Sequence, residues 1–125
     1  MDKNNIGHWG EERAAEYLRR HGYKILEMNY ACRVGEIDII ARKRGILRPT
    51  KEVVFVEVKL RKSDRYGEAK DFVTAAKQRK LVLTAGLWLE ETGCTLQPRF
   101  DVIEIYAPNG REGEIDLRHI ENAFV

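Results

Sequence analysis

Only two cysteines, Cys32 and Cys94, occur in the 125 residues. They lack the CxxC spacing of a zinc site and are too few for a disulfide framework. Both read as free thiols of a reducing compartment, which argues against zinc as a cofactor. Histidine is also scarce: His8, His21 and His119 are scattered. None has a triad partner that the sequence can name, so a Ser/His or Cys/His hydrolase finds no support. No apolar run approaches the ~20 residues needed to span a bilayer. Met1 to Gly10 has no apolar signal-peptide core. The expectation is a cytoplasmic protein with no membrane partner. Repeats, low-complexity segments and linkers are absent too, so residues 1–125 are expected to form one domain.

What is present suits a soluble globular chain: 43% hydrophobic and 34% charged residues. The net charge of +2 hides an asymmetry, because residues 1–80 carry 19 Lys/Arg against 12 Asp/Glu while residues 81–125 carry 3 against 8. Basic residues cluster at Arg42–Arg44, at Lys59–Lys62 with Arg65, and at Lys77–Lys80. Such clustering points toward a polyanion, with a solvated charged surface as the competing reading.

Hydrophobic spacing predicts a helix over 5–21, capped by Asn4 or Asn5 and closed by Gly22. Glu11, Ala14, Ala15 and Leu18 share one face of it. Strands are predicted at 23–30, 35–42, 53–61 and 99–106, with a helix from about 68 to 91. A stripe of Val73, Lys77, Leu81, Ala85 and Trp88 marks the inner face of that second helix. The short 43–51 connection makes the second and third strands antiparallel neighbours. The tail from 114 is expected to hold a short strand and a helical turn. The order α-β-β-β-α-β, with helices covering a sheet, is a layered α/β fold.

Three residues carry the chemical signal. Glu57 and Lys59 lie two apart on the most apolar strand and point to the same face. Desolvating opposite charges there is costly unless they are paired or bound to metal. Asp38 supplies a second acid, flanked by isoleucines on the neighbouring strand. Two carboxylates suit a hard divalent cation such as Mg²⁺ or Mn²⁺. Such an ion polarises a phosphoryl oxygen and acidifies bound water, and a nearby lysine can orient that water. The competing reading is a purely structural Glu57–Lys59–Asp38 salt bridge.

Asp-x18-Glu-x-Lys resembles the PD-(D/E)xK signature of restriction-endonuclease-like proteins. More closely, the chain is similar to the YraN family of bacterial predicted endonucleases, distantly related to archaeal Holliday junction resolvases. The resemblance runs over nearly the whole chain. It rests on GHWGEERAAEYL at 7–18, Gly22-Tyr23, Asn29, GEIDII at 35–40, VFVEVKLR at 54–61, Tyr66-Gly67, the 73–89 helix, and RFDV at 99–102. Ile37 stands where the signature has proline. The resemblance implies a restriction-endonuclease-like three-layer fold with a mixed central sheet, and a Mg²⁺- or Mn²⁺-dependent nuclease acting on DNA, branched or damaged. The alternative is a non-cleaving nucleic-acid-binding scaffold.

Site roles follow the matched motifs. Asp38 and Glu57, with the Val58 carbonyl, are the expected metal ligands. Lys59 is the catalytic lysine, and Glu11 the catalytic acid brought from the first helix; the competing reading of Glu11 is a helix N-terminal charge favoured by the macrodipole. Arg61, Lys62, Lys77 and Lys80 are the expected nucleic-acid contacts, and the three basic clusters should form one surface around the site. Glu36 is expected beside Asp38, or else paired with Arg33. Asp101 is expected in a structural salt bridge with Arg99 or at a helix terminus. Resolvase-like relatives imply a homodimer by analogy.

Overall fold

The computed structural model describes residues 3–45, 50–61 and 73–124. Helix α1 spans Lys3–Arg20, β1 Tyr23–Ala31, β2 Glu36–Lys43 and β3 Glu52–Arg61. Helix α2 spans Ala75–Thr92, followed by β4 Gln97–Tyr106, a 3-10 turn at Gly110–Glu112 and β5 Asp116–Ile120. The predicted order holds, with β5 completing the sheet at the position expected for the tail strand. Asn4 and Asn5 lie inside α1 rather than capping it. Gly22, at φ 87°, takes the left-handed turn that closes α1. Val73 and Thr74 precede α2 instead of belonging to it, because the Thr74 side chain accepts from Lys77 N and caps the helix there. The part of that predicted helix at 68–72 lies outside the described residues, as do Lys62, Arg65 and Tyr66-Gly67.

The five strands form one sheet in the order β1-β2-β3-β4-β5. β1, β2 and β3 pair antiparallel, β3 and β4 pair parallel, and β5 returns antiparallel to β4. The parallel step requires a crossover, and α2 supplies it. Among the described residues the result is a mixed α/β fold with a five-stranded mixed sheet and two α-helices, compatible with the three-layer restriction-endonuclease-like arrangement. Among the described residues, no helix is long and apolar enough to cross a membrane.

Each face of the sheet has its own core. One holds Ala14, Ala15 and Leu18 of α1 against Val54, Val56, Ile103 and Ile105. The other holds Leu81, Ala85 and Trp88 of α2 against Ile40, Val53, Phe55 and Phe100. β3 feeds both faces, so Val53, Val54, Phe55 and Val56 are all buried. Covering a strand on both sides replaces polar alternation with a continuous apolar run. Phe55 adds ring contacts, edge-on to Trp88 and stacked on Phe100.

Asp101 is fully buried on β4 and anchors a polar network. Arg99 donates to both its oxygens, at 2.9 and 2.7 Å, so the expected structural pair is present. His119 Nε2 lies 2.7 Å from Asp101 Oδ2. The Asn122 backbone N–H donates at 3.0 Å. Burial raises the Asp101 carboxyl, but the bonds from His119, Arg99 and Asn122 outweigh it and hold the group below its usual value. Through Tyr17, whose hydroxyl sits 3.2 Å from His119 Nδ1, the same network ties β5 to α1.

Candidate metal and phosphate site

β2 and β3 are paired from Ile39↔Val56 to Arg42↔Val53. Asp38 and Glu57 are the next residues outward, just past the end of that ladder. Each sits one step beyond a buried apolar pair, so each is aimed by a rigid strand. Asp38 Oδ2 accepts the Val58 backbone N–H at 2.8 Å. A side chain thus takes the place of a ladder carbonyl across the opening between the strands.

Glu57 is 8% exposed. Lys77 Nζ donates to its Oε1 at 2.6 Å, and Lys59 Nζ stands 3.5 Å from the same oxygen. Asp38, Glu57 and Lys77 line a cleft of about 130 Å³ with Gly35, Glu36, Lys80 and Thr84. Gly35 permits a close approach to α2: a Cβ there would meet Thr84 Oγ1 at 3.0 Å. Thr84 is fully buried and donates to Lys80 O, so it has little room to give.

The electrostatics match the geometry. Burial, and then the Glu57 charge, push the Asp38 carboxyl up to about 7, while the Val58 N–H opposes them. Glu11 raises it further. Burial lowers the Lys59 ammonium, as does its contact with Lys77, against the pull of Glu57. For Lys77 burial also lowers, but the bonds around Glu57 prevail and the group is raised. The cleft therefore contains acids that gain from added positive charge.

The structure brings Asp38, Glu57, Lys59 and Lys77 together, with Glu36 and Lys80 on the same cleft. Glu11 lines a separate groove beside His8, Met28 and Asn29, close enough for its charge to act on Asp38. Its side chain is 17% exposed and lies 3.7 Å from His8 Nδ1. Glu11 Oε1 is buried with no hydrogen-bond partner among the described residues. Arg61 ends β3 opposite Tyr106. Among the described residues the expected single basic surface is not formed: Arg42 pairs with Val53 and Lys43 ends β2, at the far end of the ladder from the cleft. At ~3.3 Å per residue, Lys43 is roughly 16 Å along the strand from Asp38. The sequence pattern offers Lys77 to a substrate backbone and carries no sign of its bond to Glu57. It also leaves His119 without a partner, although a buried Asp101 needs cations around it.

The donors present are oxygens, and they are few. Among the described residues, no three His, Cys, Asp or Glu side chains gather to hold an ion. Two carboxylates and backbone oxygen are what Mg²⁺ ordinarily takes from a protein, with water and substrate phosphate completing its shell.

The profile described as "Uncharacterised protein family UPF0102" matches residues 10–105. The chain belongs to the UPF0102 family. A UPF0102 protein of Symbiobacterium thermophilum is 46% identical over 120 residues, covering 95% of each chain. One from Caldicellulosiruptor saccharolyticus is 38% identical over 99% of this chain and 100% of its own length. One from Vibrio parahaemolyticus is 43% identical over 99% of this chain and 95% of its own. The UPF0102 match contains Glu11, the Asp38 segment, the Glu57–Lys59 segment and Lys77, so it spans every element that builds the cleft.

Proposed function

We propose that the protein is a Mg²⁺- or Mn²⁺-dependent nuclease that hydrolyses phosphodiester bonds in DNA. The observation that carries this reading is the gathering of Asp38, Glu57 and Lys59 where β2 and β3 part. Asp38 and Glu57, with the Val58 carbonyl, would hold the ion. When bound, the ion supplies Lewis-acid polarisation of the phosphate and a more acidic water.

The chain's own residues do the rest. The Val58 N–H fixes the Asp38 carboxylate, leaving it little freedom to rotate. Glu57 anchors the Lys59 ammonium beside the cleft, where it orients the attacking water and balances charge developing on the phosphate. Burial strengthens that interaction by excluding bulk water. Glu11 adds negative charge near Asp38 and so favours a bound cation. Lys80 on α2, Arg61 at the end of β3, and Lys62, which follows it in sequence outside the described residues, would meet the nucleic-acid backbone. A homodimer would present two such clefts to two strands.

The test is a cleavage screen over linear, flapped and four-way DNA, and over RNA, with and without Mn²⁺. Wild type should cut only with the ion. Lys59→Ala should bind DNA nearly as well yet lose on the order of 10²–10³ in rate. A Lys59→Ala protein that folds, binds and cuts like wild type refutes the mechanism. Ion-independent binding without cutting by wild type would identify a scaffold instead.

A further inference from the structure

We propose that Lys77 is a built-in competitor for the divalent cation: in the cation-free protein its ammonium holds the Glu57 side of the cleft, and it must withdraw before an ion is bound there. The inference rests on the metal-binding reading above and adds to it a control on when the site accepts an ion.

Lys77 Nζ is 2.6 Å from Glu57 Oε1, the shortest ion-pair contact in the cleft, and Lys59 Nζ is 3.5 Å from the same atom. Two ammonium groups therefore crowd one carboxylate oxygen. An ion approaching Glu57 meets both, and one has to leave.

The structure distinguishes them. The Lys77 side chain is 42% exposed, against 23% for Lys59. Lys59 rises from the central strand, where β3 is paired with β4 at Glu104. Lys77 rises from the first turn of α2, where its own N–H is capped by Thr74 at 3.2 Å. That end of a helix carries positive dipole charge and disfavours a lysine. No acidic residue in the turn offsets it. Glu57 is thus what holds the Lys77 head inward. Once an ion neutralises Glu57, the dipole, Lys59 and the ion itself all push Lys77 outward. Its flexible stem lets the head reach solvent without backbone movement.

The withdrawn ammonium sits at the cleft rim on the same helix edge as Lys80. A phosphate arriving there would favour the withdrawn position. Polyanion binding and ion binding would then strengthen each other by the same factor, as linkage requires.

The experiment is calorimetric titration of Mn²⁺ alone into wild type, Lys77→Gln, Lys77→Met and Arg79→Gln, with melting curves to establish folding. Lys77→Met retains the apolar stem, so a packing defect in one substitution does not decide the outcome. Arg79, exposed on α2, controls for the loss of one positive charge. Both Lys77 variants should bind Mn²⁺ on the order of tenfold more tightly than wild type, a conservative share of the repulsion between neighbouring charges. Arg79→Gln should change affinity by less than about threefold. Binding by the Lys77 variants where wild type shows none supports the proposal equally. If wild type binds Mn²⁺ and the Lys77 variants bind it no better, or Arg79→Gln tightens binding as much, the competitor role is wrong and the metal site stands. If no protein in the set binds Mn²⁺, both readings fall.

Discussion

Replacing Asp38 with asparagine should stabilise the protein in chelator at pH 8. In the folded chain the carboxyl is pushed from 3.8 up to about 7, first by burial and then by the charge of Glu57. Its stabilising contribution is fully present below 3.8 and is lost as pH rises toward 7, because the folded state holds the proton more tightly than the unfolded state. Ionising it in place costs about 4 kcal/mol more than in the unfolded chain, taken as a ceiling. Asparagine removes the charge, and its amide oxygen can still accept the Val58 N–H. Allowing for imperfect replacement, Asp38→Asn should gain on the order of 1–3 kcal/mol at pH 8. That is a rise in Tm of roughly 5–10 °C for a chain of this size. Urea denaturation at pH 5, 6.5 and 8 measures it, and the gap over wild type should shrink as pH falls. A variant less stable than wild type at pH 8, or a gap that does not change with pH, would show that Asp38 is not a strained acid awaiting a cation. Added Mn²⁺ should reverse the order, since only wild type retains both carboxylates.

Two further outcomes are expected away from the acids. Asp101→Ala should cost about 3 kcal/mol, because it removes the buried carboxylate that the half-buried Arg99 and His119 share. Since Asp101 is held below its usual value, wild type should lose this stability as pH falls through the lowered value, whereas the variant should be flat in that window. DNA affinity, followed by fluorescence anisotropy, should fall steeply with salt. Lys80→Gln, on the cleft, should reduce the slope by about one, and Arg42→Gln, at the other end of β2, should leave it unchanged.

The parts of the site carried by single strands could be read from the sequence. Glu57 and Lys59 share a face by alternation alone, and charges within Val-Val-Phe-Val-x-Val-x-Leu demand a partner. Asp38 stood out for the same reason. The missing parts depended on distances between elements. Lys77 looks like a helix-edge lysine until α2 is seated on β3. His119 meets Asp101 only because β5 pairs with β4 in a register that places His119 opposite Ile103. The five residues Asp-Leu-Arg-His-Ile do not by themselves specify that register. The basic clusters misled for the opposite reason. Arg42–Arg44 and Lys59 are close in sequence, but an antiparallel hairpin carries them to different ends of the sheet.

β3 is held in register from two sides at once. Its even-numbered residues Val54, Val56, Val58 and Leu60 pack toward α1, while Glu57 opens into the cleft with the Lys59 ammonium beside it. A one-residue slip would drive both charged groups into the α1 core and turn valines toward the cleft. Loss of the site and collapse of the core would be the same event. Insertions and deletions in this segment are therefore barred twice over, and sequence change that adjusts chemistry without endangering the fold is confined to the helix rim, where Lys77 and Lys80 stand.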